Sequence, residues 1–355
     1  MKWTVSVWYS SSFLWYLLLN SVVPNSAFID YLAKTFATLG SFTVQNTYCR
    51  VAECCSFYDT KQAMDALEKE LEKNLFGQHI AKEAVLDAIG GHLRNIATSD
   101  KPLVISLHGS SGTGKNYIAD YVARALRSKG AKSKFVHKYL GRIDFPLESR
   151  LEEYRLRLVS DITSAIAQCP QSLFIFDEVE KMPPGLFDSI VSLLDNHAYS
   201  RHHDYRQAIF IFLSNVGGPE IARDLRRLMQ SGTFRYLTSM HDFERTLEGF
   251  ALNGMGAMYD SDLVKSQVVD HFIPLLPLEQ RHVEKCIRKE YYKQTGSEEI
   301  EESLLDYIFR EAVTMDEHNT FANNGCKRVS KKVESCHNNR LRKNQTKSEM
   351  SKTDL

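Results

Sequence analysis

The chain has no net charge, since 44 Lys and Arg are balanced by 44 Asp and Glu. That balance excludes the long-range positive field by which nucleic-acid-binding proteins gather their ligand, so no nucleic-acid partner is expected. Nor is there an uninterrupted apolar run that would span a bilayer comfortably: the most apolar stretch, VWYSSSFLWYLLLNSVV, is broken by serines and an asparagine. Among 7 cysteines there is no clean CxxC pair, and CRVAECC has no second half at metal-ligand spacing, which argues against a zinc site. Sequons are almost absent too, the one N-x-T being Asn344 in the C-terminal tail.

Lys2 followed by the apolar stretch reads as a secretory signal over residues 1–27, with small residues at Ser26 and Ala27 to host cleavage. An uncleaved signal anchor is the alternative. In residues 28–60, Phe28, Ile29, Leu32, Phe36 and Leu39 recur at near-helical spacing with few charges between them, and a Cys-rich linker with Cys49, Cys54 and Cys55 follows. Such a stripe suits peripheral contact with a membrane surface. Seven cysteines fit a compartment where disulfides form, and an odd count leaves at least one outside any intrachain bridge.

With 355 residues, 43% hydrophobic and 25% charged, the remainder is long enough and ordinary enough to bury its own cores. KQAMDALEKELEKNL and IAKEAVLDAIGGHL read as two helices separated by the turn FGQH. LVISLHG, KFVHKYL, SLFIFDEVEKM and AIFIFLSNVGG read as strands, with helices after the first and second. Apolar strands alternating with helices predict an α/β domain with a doubly wound parallel sheet over residues 61–275, its ligands held beyond the carboxyl ends of the strands. Past Pro274 the text turns to charged helices, so a small helical lid is expected over 276–330, followed by a basic, disordered tail over 331–355.

Gly109, Ser110, Ser111, Gly112, Thr113, Gly114 and Lys115 match G-x-x-x-x-G-K, placed between a strand and a helix. Backbone amides of such a loop cradle phosphates and its lysine reaches the terminal ones. The next residue is Asn116, where a hydroxyl usually ligates Mg²⁺; a side-chain amide keeps an oxygen in reach of the ion or one of its waters. Asp177 and Glu178 end the third strand. With a phosphate loop upstream, Asp177 is assigned to hold magnesium and Glu178 to deprotonate the attacking water. Asn215, ending the fourth strand, can hydrogen-bond that water or the terminal phosphate, or simply form a turn. In NNGCKRV, Lys327 can reach back to the nucleotide, although spacing alone suits a solvated lysine equally.

The set NLFGQHIAKEAV, the loop ending Gly114-Lys115-Asn116, FIFDEVEKM, IFIFLSN, FIPLLPLE and GCK, from Leu75 to Lys327, resembles the torsins, lumenal AAA+ ATPases related to the Clp-type unfoldases. Asn116 after the lysine is itself a torsin trait. The resemblance implies an AAA+ P-loop domain that binds ATP with Mg²⁺, with Asp177 and Glu178 as the Walker B pair, Asn215 as sensor 1 and Lys327 as sensor 2. It further implies a redox-sensitive disulfide between Cys286 and Cys326, two free thiols being the alternative reading. Location in the endoplasmic reticulum and nuclear envelope is implied, as is assembly into a homo-oligomer or mixed ring.

Clp-type unfoldases carry an arginine finger where SQVVDHFIPLLPL places Gln267 and Val268. Neither can stabilise transition-state charge, so the resemblance implies a membrane-anchored activator whose lumenal domain supplies the arginine. No aromatic-glycine pore-loop signature stands between Lys138 and Gln171, and no sequon lies between the Walker motifs. The expected function is activator-assisted ATP hydrolysis that remodels proteins or membranes. The competing expectation is an ATP-gated scaffold in which hydrolysis only releases partners.

Overall fold

The computed structural model describes residues 53–55, 59–195, 203–253, 256–258 and 261–339. The signal, the apolar segment with Cys49 and the sequon at Asn344 lie outside them. All elements below belong to the compact unit Cys55–Leu355. Among the described residues no helix is long and apolar enough to cross a membrane.

Helices α1 (Thr60–Asn74) and α2 (His79–Arg94) form the expected hairpin. Asp59 caps α1 by accepting the Gln62 amide at 3.1 Å, which satisfies one of the donors a helix start leaves open. Ala63, Leu67 and Leu71, at intervals of four, form its buried stripe. The sheet comprises β1 (Leu103–His108), β2 (Val136–Leu140), β3 (Leu173–Asp177), β4 (Ile209–Ser214) and β5 (His271–Pro274), in the order β2-β3-β4-β1-β5 with every pairing parallel. Between strands run α3 (Lys115–Leu126), α4 (Leu151–Gln168), α5 (Gly218–Gln230) and α6 (Glu244–Asn253).

Alternation along LFIFD and IFIFLS sorts the two faces by chemistry, because successive strand side chains point to opposite sides. Ile105, Ile175 and Ile211 pack with α1, α2 and α3 on one face. Phe174, Phe176, Phe210 and Phe212 pack with α4 on the other. The register sets Phe174 beside Phe210 and Phe176 beside Phe212, with ring centroids 4.7 and 5.0 Å apart in stacked pairs. This aromatic ladder fixes the spacing of β3 and β4, whose ends carry the acids and Asn215.

The fifth strand lies within the expected α/β domain but is not among the strands read from the sequence. Four residues ending in proline give too short a signal to read alone. The strand exists because β1 offers a free edge, on which Ile105 to His108 pair with His271 to Pro274. Beyond it Arg235, 5% exposed, donates to the carbonyls of Gly77 at 2.7 Å and Pro277 at 2.8 Å. It thereby ties the turn before α2 to the passage into the lid.

The lid contains α7 (Gln280–Thr295), α8 (Glu302–Ala312) and a helical stretch over 329–339. The expected boundary at 330 is therefore corrected: residues 331–339 belong to the lid rather than to a disordered tail. Val329, Val333 and Cys336, at steps of four and three, place an apolar stripe on the lid core among charges that mask it in the sequence. Val333→Asp should bury a carboxylate without a partner at a cost of several kcal/mol. Hydrogen exchange is expected to accelerate in α7 and α8 while the sheet stays protected; equal protection in both variants would remove this helix from the lid core.

Candidate nucleotide-binding site

The loop Gly109–Gly114 leaves β1 and turns into the twelve-residue α3, whose first amides point back at it. Gly112 has φ +82°, and a β-carbon there would lie 2.2 Å from the Asn324 carbonyl oxygen. Across the contact Gly325, at φ +46°, would bring a β-carbon within 2.4 Å of the Gly112 oxygen. Two glycines thus let the lid turn rest on the phosphate loop, and the Cys326 amide donates to the Gly112 carbonyl at 3.1 Å. From the other side Gln78, 1% exposed, donates from Nε2 to Thr113 O (3.1 Å) and Leu276 O (2.8 Å) and accepts the Leu276 amide at 2.8 Å.

A cavity of about 350 Å³ opens between sheet and lid. Ser111, Gly112, Gly114, Lys115, Asn116, Asp177, Glu178, Asn215, Cys286, Cys326 and Lys327 all line it, so residues up to 216 positions apart in sequence converge on one space. Gly109, Ser110 and Thr113 stand behind the lining, where Thr113 Oγ1 donates to Ser110 O at 2.8 Å. Sequence reasoning missed Asn74, Phe76, Tyr117, Lys289 and Glu290, which line the same cavity from α1, the turn after it, α3 and α7. Nothing local marks them.

The Lys115 ammonium is buried and donates to Gly109 O (2.5 Å) and Ser110 O (3.0 Å). Burial pushes its pKa down to about 8; Glu180 and then Asp177 oppose the shift, and Lys327 adds to it. His108, buried beneath, is held neutral near pH 7 because burial first and Lys115 second lower its pKa to about 4; its Nε2 pairs with Ser106 Oγ at 2.7 Å. Asn116 Nδ2 donates to Asp177 Oδ2 at 2.6 Å, and Lys138 Nζ stands 3.4 Å from the same oxygen. A buried carboxylate beside a side-chain carbonyl is a hard-oxygen donor set, so Asp177 and Asn116 fit a Mg²⁺ that takes its other ligands from water and phosphate.

Glu178 ends β3 in a left-handed conformation, φ +57°, and its Oε2 accepts from Arg142 Nε at 2.9 Å. Glu180, two residues on, was given no role by the sequence. Its Oε1 accepts from Asn215 Nδ2 at 2.6 Å and its Oε2 from the Asn215 amide at 3.2 Å. The Sγ atoms of Cys286 and Cys326 are 2.07 Å apart, at disulfide distance, with Cys326 adjoining Lys327 and bonded to the phosphate loop. A second pair, Cys55 and Cys169, is 2.16 Å apart beneath the opposite end of the sheet, where the buried Arg127 donates to the Cys55 and Gln171 carbonyls. Gln267 is exposed and Val268 is buried.

The sequence model of the family described as Torsin matches residues 49–176. A torsin-like protein of Drosophila melanogaster is 42% identical over 298 residues, covering 83% of this chain and 88% of that protein. A torsin-like protein of Caenorhabditis elegans is 36% identical over 290 residues, 81% of each. Among solved structures the S. cerevisiae Hsp104-ADP complex is similar with a TM-score of 0.57 at 17% identity, over 82% of this chain and 49% of that one. The closed state of Hsp104:ATPyS with FITC casein gives 0.54 at 14% identity, over 81% and 48%. The chain spans about half the length of those solved chains, and at this identity they speak for the AAA+ fold alone.

Because a phosphate chain would favour the charged form of Lys115, binding above pH 8 must be coupled to proton uptake. ATP affinity is expected to fall by up to about tenfold between pH 8 and 9. Calorimetry at pH 9 in two buffers of different ionisation enthalpy should report uptake approaching one proton, absent in Lys115→Met. Uptake that is the same in both proteins would assign the proton elsewhere.

Proposed function

The chain belongs to the torsin family, and we propose that it binds Mg-ATP between the sheet and the lid and hydrolyses it with help from a partner, as an ATPase of the endoplasmic reticulum and nuclear-envelope lumen. The single observation that carries this reading is the convergence of the phosphate loop, Asp177, Glu178, Asn215 and Lys327 on one cavity.

In this reading the loop amides and Lys115 receive the phosphates, with Lys115 exchanging the carbonyls of Gly109 and Ser110 for phosphate oxygens. Lys327 approaches from the lid. Asp177 and Asn116 hold the magnesium, which when bound neutralises charge on the β- and γ-phosphates. Glu178 leaves Arg142 and accepts a proton from water as the water oxygen bonds to the γ-phosphorus, while the bridging oxygen departs with the diphosphate. Asn215 orients that water. No charge arrives from Gln267 or Val268, so the proposed activator is membrane-anchored and supplies an arginine from its lumenal domain, a contribution of about 10³ to 10⁵ in rate. Two cysteine pairs at bonding distance support an oxidising compartment. Remodelling of proteins or membranes by a ring of such subunits is the proposed output.

Turnover by the purified chain should be slow alone and rise by orders of magnitude with the activator domain. Glu178→Gln is expected to keep ATP affinity within about threefold, cut activated turnover by at least about 100-fold, and trap the chain on its activator. Brisk turnover by the chain alone, or no affinity for ATP, would overturn the reading; cellular function surviving in Glu178→Gln would favour a scaffold.

The Cys286–Cys326 bond is proposed to restrain the turn that aims Lys327. Cys286→Ser, or reduction of the wild type, should alter the ratio of ATP to ADP affinity by roughly fivefold or more, the lower end of ordinary coupling between sites. Identical ratios before and after reduction would leave the bridge a purely structural role.

A further inference from the structure

Glu180 is the acid of the DEVEK run that the proposed mechanism leaves unused. It lies in the short turn Val179–Lys181 that follows β3, while Asn215 follows the last residue of β4, the strand paired with β3. The two therefore face each other across neighbouring strand ends held in place by the phenylalanine ladder. Both oxygens of Glu180 are engaged by one residue: Oε1 by the Asn215 side-chain amide at 2.6 Å and Oε2 by its backbone amide at 3.2 Å.

We propose that Glu180 is a positioning residue for ATP hydrolysis: its carboxylate clasps Asn215 at two points and sets the orientation in which that amide meets the attacking water.

The clasp does three things at once. Gripping backbone and side chain together leaves Asn215 little torsional freedom, so the residue is ordered before nucleotide arrives and that entropy is not lost at the reacting centre. A carboxylate can only accept, so the amide must turn its nitrogen toward Glu180, and its carbonyl oxygen stays available to accept a hydrogen bond from the water. Among the described residues no cation stands within salt-bridge distance of Glu180. Its charge acts instead on Lys115, where it is the largest of the influences opposing the loss of the proton. A mere space-filling or turn-forming residue would need neither the bidentate contact nor the charge.

The inference rests on the ATPase reading, and its test separates the two. Glu180→Ala, Glu180→Gln, Asn215→Ala and the double variant Glu180→Ala/Asn215→Ala are compared with wild type, activator present, for kcat and KM. Melting temperatures are taken on the ligand-free proteins. Glu180→Ala should lower kcat by about 10- to 100-fold, the usual cost of removing a supporting contact, with KM changed by less than about threefold. The double variant should be no slower than the slower single variant, and the two losses in melting temperature should not add. Glu180→Gln, which keeps one acceptor oxygen but loses the second, should lose less kcat than Glu180→Ala, a graded rescue that loss of folding does not produce. Multiplicative losses in kcat with additive losses in melting temperature would overturn the clasp. A wild-type chain inactive even with activator would overturn the ATPase reading and the positioning role with it, recognisable because the coupling in melting temperature would persist.

Discussion

The seat of the lid on the phosphate loop is one backbone hydrogen bond, from Cys326 to Gly112, made possible because neither Gly112 nor Gly325 carries a β-carbon. Everything functional is arranged around that contact. It brings Lys327 to the cavity and places Cys286 and Cys326 beside the phosphate loop. Gln78 and Arg235 hold the opposite flank, joining the turn before α2 to the loop and to the residues that lead into the lid. All of these are hydrogen bonds to main-chain atoms, which have fewer ways to yield than side chains.

Most of the charged groups in the cavity are held by hydrogen bonds or ion pairs from the protein itself. Lys115 is satisfied by carbonyls of its own loop, Asp177 by Asn116 and Lys138, Glu178 by Arg142, and Glu180 by Asn215. A buried polar group left without a partner is costly, and here Lys115, Asp177 and Glu178 each have one that a triphosphate, a metal ion or a water would displace, while Glu180 keeps Asn215. Binding is thus an exchange of partners. Lys115 gains most from it, because burial weakens its hold on the proton until an anion arrives.

Much of this was legible beforehand for a local reason. Strands buried on both faces need apolar runs, and LVISLH, LFIFD and IFIFLS are such runs; a phosphate loop needs glycines and a lysine in fixed order between strand and helix. The chemistry at the strand ends, Asp177, Glu178 and Asn215, followed from those positions. What stayed hidden had no local pattern. Phe76 reaches the cavity from a turn and Tyr117 and Lys289 from two different helices, the apolar stripe through Val333 is lost among lysines and asparagines, and HFIP becomes a strand only when β1 presents an edge.

The sequence alone determined most of the elements, the order of the motifs and the membership of the fold class, because hydrophobic period and turn chemistry act over a few residues. Tertiary structure decided which acid serves which partner. Glu178 meets Arg142 and Glu180 meets Asn215, pairs separated by 36 and 35 residues, and no spacing rule at that distance distinguishes one carboxylate of DEVEK from another. The parallel pairing of β3 with β2 on one side and β4 on the other does so, since it fixes which strand ends stand side by side.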